Sequence, residues 1–160
     1  FLEMDMCKIC WTSLTAALLL IAFAGYKIMY PAAIAPSADG RMTIELTAGE
    51  RDLVLTEMRD FLISVQTITE AVTTENMDMA VKAARKAGTT AQGAVPLSLV
   101  SKLPNEFKKL GFDTHQQFDQ IGLDAEQLGD GSQTIKQLSI IMQNCISCHA
   151  GYKLVAVAEK

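Results

Sequence analysis

Apolar residues recur every three or four positions along most of the chain, the spacing that places them on one face of an α-helix. The first such stretch follows Thr47, which stands three residues before Glu50 in a capping-box pattern. A second, shorter helix is predicted from Asn76 to Ala87. The predicted inward faces are Leu55, Met58, Leu62, Val65, Ile68 and Val72 in the first helix, and Met77, Ala80, Val81, Ala84 and Ala87 in the second.

The stretch "GTTAQGAVPLSLVSKLP" interrupts this pattern, and its glycines and prolines predict a long connection. Pro104 then opens a third helix, which "GDG" at 129–131 ends. A fourth helix follows. The apolar stripes are Phe107, Leu110, Thr114, Phe118, Ile121, Ala125 and Leu128 in the third helix, and Ile135, Leu138, Ile141, Met142, Cys145, Cys148 and Tyr152 in the fourth. No alternating pattern of useful length predicts a strand, so the fold class is all-α, a four-helix bundle over residues 47–160.

The segment "WTSLTAALLLIAFAGYKIMY", residues 11–30, carries Lys27 as its only charge and has aromatic residues near both ends. A bilayer needs roughly 20 mostly apolar residues of helix, so the segment predicts one transmembrane anchor. A cleaved signal peptide is the alternative, since "AIAPSA" offers small residues to a peptidase, but acids in residues 1–10 disfavour it. Residues 31–46 have no sustained helical period and are interpreted as a linker.

Composition narrows the class of protein. The 160 residues suffice for one domain with a real core, and the formal net charge is −4. That charge gives nucleic acid no basic surface to bind. A charged protein partner is expected to be basic.

The string "CISCHAGYK", residues 145–153, gathers two of the four cysteines and one of the two histidines. The spacing Cys145-x-x-Cys148-His149 is the attachment signature of c-type haem, in which two thiols bond the porphyrin and the imidazole binds the iron. A thioredoxin-like redox pair and half of a zinc site are the competing readings. The first expects a βαβ pattern and the second expects four ligands.

Four helices, one long connection and a haem signature on the last helix resemble the cytochrome c-prime family, the class II c-type cytochromes. The resemblance implies one covalent haem c, with Cys145 and Cys148 at the thioether positions and His149 as the proximal iron ligand. Tyr152 and Lys153 match the aromatic and basic pair that commonly follows. The membrane anchor departs from the family's usual soluble form.

The resemblance also implies that the residue facing the iron opposite His149 comes from the first helix of the bundle. Counting from Arg51 selects Leu55, beneath which the iron would be open to a gas. Counting from the helix start near Thr47 selects Met58, whose thioether would be a sixth ligand. We favour Met58.

Two functions follow. In the first, the protein is a membrane-anchored electron carrier or a subunit of a larger redox complex, with a protein redox partner. In the second, a five-coordinate iron binds nitric oxide or carbon monoxide. Because c-type haem is attached outside the cytoplasm, the bundle is expected in the periplasm of a bacterium, anchored in the inner membrane, with residues 1–10 inside. Members of the family often form dimers, which implies a dimer here. The sequence shows no group of acid-base residues typical of an active site, so the protein is not expected to be an enzyme.

Two features remain outside this scheme. Cys7 and Cys10 form "CKIC" without a following histidine, and palmitoylation, an interprotein metal site or plain free thiols all suit them. His115 lies about 100° from the centre of the third helix's apolar stripe, so it is predicted on a solvated flank.

Overall fold

The computed structural model describes the backbone of residues 2–29 and 35–158 and the side chains of residues 10–26, 35–93 and 95–158. The helices are α1 (Leu2–Met29), α2 (Ala48–Thr73), α3 (Met77–Lys86), α4 (Leu97–Lys102), α5 (Asn105–Leu128) and α6 (Gly131–Gly151), with a 3-10 turn at Thr89–Ala94. The strands are β1 (Ala35–Pro36), β2 (Met42–Leu46) and β3 (Tyr152–Ala156).

Helices α2, α3, α5 and α6 are the four helices predicted for the bundle, and their ends have local causes. Thr47 caps α2 through Glu50 N, while the Glu50 carboxylate accepts from Thr47 N at 2.9 Å. The Asn76 side chain caps α3. Gly129 ends α5 in the left-handed region at φ 62°, which favours glycine. The capping box and the helix breaks are therefore confirmed.

The inward face of α2 differs from the predicted one. Its buried residues are Val54, Phe61, Ser64, Ile68 and Ala71. Leu62, predicted to face inward, is 69% exposed. The reason is the neighbouring helix α3, whose Ala80 and Ala84 are fully buried. Because these side chains are small, α3 approaches α2 closely, and the small residues Ser64 and Ala71 of α2 are buried there. The face of α2 predicted from its apolar residues is therefore rotated about the helix axis relative to the buried face.

A three-stranded sheet, which the sequence did not predict, closes one end of the bundle. Strand β2 lies in the middle, antiparallel to β1 and parallel to β3, with Met42 opposite Tyr152 and Leu46 opposite Ala156. Ile44 and Leu46 are buried. Residues 42–46 are thus part of the folded unit and not the linker that we expected; residues 31–34 lie outside the described part.

Two apolar clusters fill the interior. The bundle core is formed by Phe61, Ile68, Ala71, Ala80, Ala83, Ala84, Ala87, Phe118, Ile121, Leu138 and Ile141. The end core is formed by Ile44, Leu46, Val54, Leu99, Leu103 and Phe107, with Met58, Val95, Cys148, Tyr152 and Leu154 packed against it. Met58 packs against both.

Helix α1 includes most of the predicted anchor, and Tyr30 lies outside the described residues. All side chains from 10 to 26 are exposed, including Trp11, Leu19 and Phe23. Among the residues whose placement is described, no helix has the length and apolar character needed to cross a membrane. The predicted transmembrane helix is therefore not found.

Candidate haem-attachment site

Cys145 and Cys148 lie one turn apart near the end of α6, on the same side of the helix. Both thiols are free and half-buried, and Cys148 packs against the end core. The Cys145 thiol points toward the Ile141 carbonyl, with Sγ 3.8 Å from the oxygen. The pair therefore presents two sulfurs on one side of α6, and that of Cys148 lies against the apolar end core.

The thiols have the character of buried groups. Burial raises the pKa of Cys145. Burial and the neighbouring Cys145 raise the pKa of Cys148 to about 11. Catalytic thiol-disulfide pairs instead have a lowered pKa, because the thiolate is the nucleophile. The electrostatics at this pair are thus unlike those of a thioredoxin-type site.

His149 is exposed in the last turn of α6, directly after Cys148 and four residues after Cys145. Residues four apart share a helix face, so its imidazole starts from the same side as the Cys145 thiol. Among the described side chains, no three His, Cys, Asp or Glu residues gather as ligands for a metal ion.

Tyr152 and Lys153 begin strand β3 and point to different environments. The Tyr152 ring meets Phe107 edge-on at 5.4 Å between centroids, on the edge of the end core. Burial first, and then Glu106 and Cys148, raise the pKa of Tyr152. Lys153 Nζ lies 3.9 Å from Asp39 Oδ1, across the sheet. Tyr152 is therefore next to the thiols, whereas Lys153 ties β3 to the segment before β2.

The packing of α2 against α6 decides which α2 residues reach the thiols. A Cβ on Gly131 would lie 2.9 Å from Val72 Cγ1, so the start of α6 touches the end of α2. At the opposite ends of these helices, strand β3, which follows α6, pairs with strand β2, which precedes α2. The helices are thus antiparallel, and both rise 1.5 Å per residue. Fourteen residues after Gly131 is Cys145, and fourteen before Val72 is Met58. The same count places Leu55 level with Cys148.

Packing separates the two candidates. Met58 is half-buried and packs against the same end core as Cys148 and Tyr152. Leu55 is also half-buried, but among the described residues it belongs to neither cluster. Met58, Cys148 and Tyr152 therefore pack against one cluster, of which Leu55 is not a member.

The donor set suits a covalent haem, since it supplies two free thiols, an adjacent exposed imidazole and an apolar wall. Enclosed space is scarcer. The cavity bordering the end core has a volume of about 230 Å³, below the roughly 300–1,000 Å³ of usual ligand pockets. The surface of α6 beside the thiols is open, since Ile146 is 68% exposed and His149 is exposed.

His115 corrects the sequence analysis, since its side chain is buried and not on a solvated flank. Nδ1–H donates to the Ala87 carbonyl at 2.7 Å, and Nε2 lies 3.1 Å from Glu57 Oε1. The ring also packs against Phe61 at 4.8 Å between centroids. The spacing of apolar residues along α5 did not reveal this burial, because it comes from carbonyls at the end of α3 and from Phe61 and Glu57 of α2.

Burial by itself would lower the pKa of His115, but the hydrogen bonds with the Glu57 carboxylate and the Ala87 carbonyl outweigh it and raise that pKa. Both ring nitrogens face acceptors, and only the protonated ring donates from both. His115 thus joins α5 to α2 and to the end of α3. With both nitrogens engaged, it is not offered to an iron.

The other cysteine pair is described only in part. Cys10 is exposed and free on α1, and the Cys7 side chain lies outside the described residues.

Comparison of the chain with protein-family models, with curated proteins and with solved structures gave no match.

Proposed function

We propose that the protein is a c-type cytochrome that carries one haem c, attached at Cys145 and Cys148 and ligated by His149. The observation that supports this most strongly is the pair of free, half-buried thiols one helical turn apart, of which Cys148 packs against the end core, with an exposed imidazole next in sequence. When bound, haem supplies an iron that gains or loses one electron. The protein residues hold the ring and set its surroundings.

Within this proposal, the protein acts in electron transfer with Met58 as the second axial ligand. Two observations support this proposal: Met58 is level with Cys145 when residues are counted from the contact of Gly131 with Val72, and Met58 packs on the same end core as Cys148. A thioether is a common axial ligand in c-type cytochromes and raises the reduction potential. The end core would shield from water the groups that pack against it, which favours electron exchange over substrate chemistry.

We further propose that α1 holds the protein at the inner membrane of a bacterium, with the bundle in the periplasm beside a protein redox partner or complex. The support is the exposed, apolar surface of α1 over residues 10–26, far more than a water-facing helix needs. Attachment to a membrane raises the effective concentration of a partner there.

Haem attachment is tested by denaturing gel electrophoresis with haem staining, after expression in a host that matures c-type cytochromes. The wild-type band at about 17 kDa should stain, and the Cys145→Ser/Cys148→Ser variant should not. Cys10→Ser is the matched control, because Cys10 is also a free thiol but lies outside the motif. A colourless wild-type band would refute the proposal.

The role of Met58 is tested by the absorption spectrum of the haem-loaded protein. A six-coordinate, low-spin spectrum should become high-spin in Met58→Ala and stay low-spin in Met79→Ala. Met79 is the control because it is a partly buried methionine that packs only on the bundle core. A high-spin wild type that binds carbon monoxide rapidly, with no response to Met58→Ala, would instead assign the open site under Leu55 and a gas-binding function.

The membrane proposal is tested by cell fractionation. Leu19→Glu/Phe23→Glu should move the protein from the membrane to the soluble fraction, because charges in the apolar part of α1 are costly in lipid. Leu62→Glu places the same charge on an equally exposed leucine of the bundle and should leave the distribution unchanged. Wild type in the soluble fraction would contradict this part of the proposal.

A further inference from the structure

We infer that the cavity between α2, the end of α3 and the 3-10 turn with α4 is a binding site for a small, uncharged aromatic molecule that bears a hydroxyl group. The cavity uses none of the residues proposed to hold haem. Its walls are mainly the side chains Val54, Phe61, Val95, Leu99, Leu103 and Phe107. Its polar end comprises Thr56, Glu57, Asp60, Lys86 and His115, of which Glu57 and His115 are hydrogen-bonded to each other.

The volume sets the size of the ligand. An apolar cavity of about 150 Å³ holds one benzene molecule. The cavity here has about 230 Å³, enough for one six-membered ring with one or two small substituents. A porphyrin is excluded by size.

The walls favour an aromatic ring. Phe61 and Phe107 both line the cavity, and rings gain attraction from edge-on or offset contact beyond simple burial. Aliphatic side chains of Val54 and Leu99 complete the walls, and both are buried. A flexible aliphatic ligand would lose more conformational freedom in the same space.

The polar end favours a hydroxyl donor. Glu57 Oε1 accepts from His115, whereas the second carboxylate oxygen makes no hydrogen bond within the described part of the chain. The carboxylate is partly shielded, with 31% of its side chain exposed. A hydroxyl at this end of the cavity would donate to that oxygen, and hydrogen bonds to a charged acceptor are the stronger ones.

The charges around the cavity favour an uncharged ligand. Glu57 is paired with His115, and Asp60 at the rim lies 3.8 Å from Lys86 Nζ. Each acid thus has a basic neighbour. A cation or an anion would have to break one pair to find a counter-charge, whereas a neutral hydroxyl leaves both pairs intact.

The test is titration of the full chain, as purified, with phenol, toluene and benzoate, followed by NMR chemical shifts and calorimetry. Phenol should bind one saturable site about tenfold more tightly than toluene, which has the same size but no hydroxyl. Benzoate should bind more weakly than either. Phenol binding that is no tighter than that of toluene would overturn the inference.

Two variants locate the site. Val95→Phe should fill the cavity and abolish phenol binding, and Leu53→Trp covers the rim from a half-exposed position that tolerates a larger side chain. Leu62→Trp, on the exposed side of the same helix, should bind phenol as wild type does. If folded Leu53→Trp or Val95→Phe keeps full affinity, the ligand binds elsewhere and the inference is wrong. The haem stain is independent of either result.

Discussion

The bundle core and the end core differ in the secondary-structure elements and the side-chain types that form them. The bundle core draws on α2, α3, α5 and α6, and most of its members, such as Ile68, Phe118 and Ile121, have no exposed surface. The end core joins β2, α2, α4 and the start of α5, and the groups packed on it include a thioether, a thiol and a phenol. A cavity borders the end core.

This difference suggests that the bundle core serves mainly stability, whereas the end core positions the reactive side chains. Most of the bundle core consists of closely packed aliphatic and alanine side chains, so it contributes mainly stability, although its members Phe61 and Ala87 also line the cavity. The end core is smaller and less complete, and reactive groups lie along its edge. Residues that bind cofactors or ligands commonly lie on such incomplete surfaces, supported by a rigid element behind them.

The largest expected effect sharpens that contrast. Phe118→Ala in the bundle core should lower the free energy of unfolding by about 3–5 kcal/mol, and Leu99→Ala in the end core by about 2–3 kcal/mol. The second cost is lower because the existing cavity lets the wall rearrange. Urea denaturation of both variants measures it. A cost for Leu99→Ala that equals that of Phe118→Ala would show that the end core is packed as rigidly as the bundle.

The next effect concerns His115, which lies between the two cores. His115→Ala should cost about 1–3 kcal/mol, because the buried Ala87 carbonyl loses its donor. Urea denaturation at neutral pH measures this. His115→Gln restores one donor and should recover part of the loss; equal stability of the alanine variant and wild type would exclude a structural role.

The same contact predicts a pH dependence. The folded pKa of His115 is raised above its ordinary 6.5. The folded state therefore holds the proton more tightly than the unfolded state, and this stabilisation is full below the unfolded pKa and is lost as pH rises through the folded pKa. Unfolding free energies between about pH 6 and pH 9 should show this fall in wild type and a smaller one in Glu57→Gln. Identical profiles would contradict the role of Glu57.

A smaller effect is expected at the start of α2. Thr47→Ala removes the side chain that accepts from Glu50 N and should cost about 1 kcal/mol. Thr47→Ser keeps the hydroxyl and should be close to wild type in thermal denaturation. A similar loss in both variants would point to the methyl group instead of the cap.

The smallest effect is expected at the ion pair between α2 and α4. Lys102 Nζ lies 2.7 Å from Glu50 Oε2, and Lys102→Met should cost about 0.2–1 kcal/mol. This hydrogen bond lowers the pKa of Glu50, so the pair's stabilisation is present above pH 4.5 and is lost as pH falls through the folded pKa. Acid titration of wild type and variant should converge at low pH.

Local signals in the sequence predicted the helices well. The Thr47–Glu50 box and Gly129 each act through neighbouring backbone atoms, so a few residues suffice to predict them. The Cys145-x-x-Cys148-His149 string is also local. The buried face of α2 is not determined locally, because Ser64 and Ala71 are buried by the side chains of α3 that lie opposite them.

The sheet and the buried histidine depend on distant parts of the chain. Strand β2 has only five residues, too few for alternation to stand out, and its partners in β3 lie 110 residues later in the chain. His115 is buried by carbonyls of Ala87 and Gly88, which no periodicity along α5 reveals. Both features follow from tertiary contacts.

The parallel pairing of β2 with β3 has a consequence for the order of folding. Met42 pairs with Tyr152, 110 residues later, and the four bundle helices lie between them. Contacts this distant in sequence close late, because the intervening chain must be ordered first. Since β3 begins three residues after His149, we expect the segment with the two thiols to remain accessible until this last strand docks. Under the proposed function, docking of the sheet would then end the period in which the nascent protein can receive a haem.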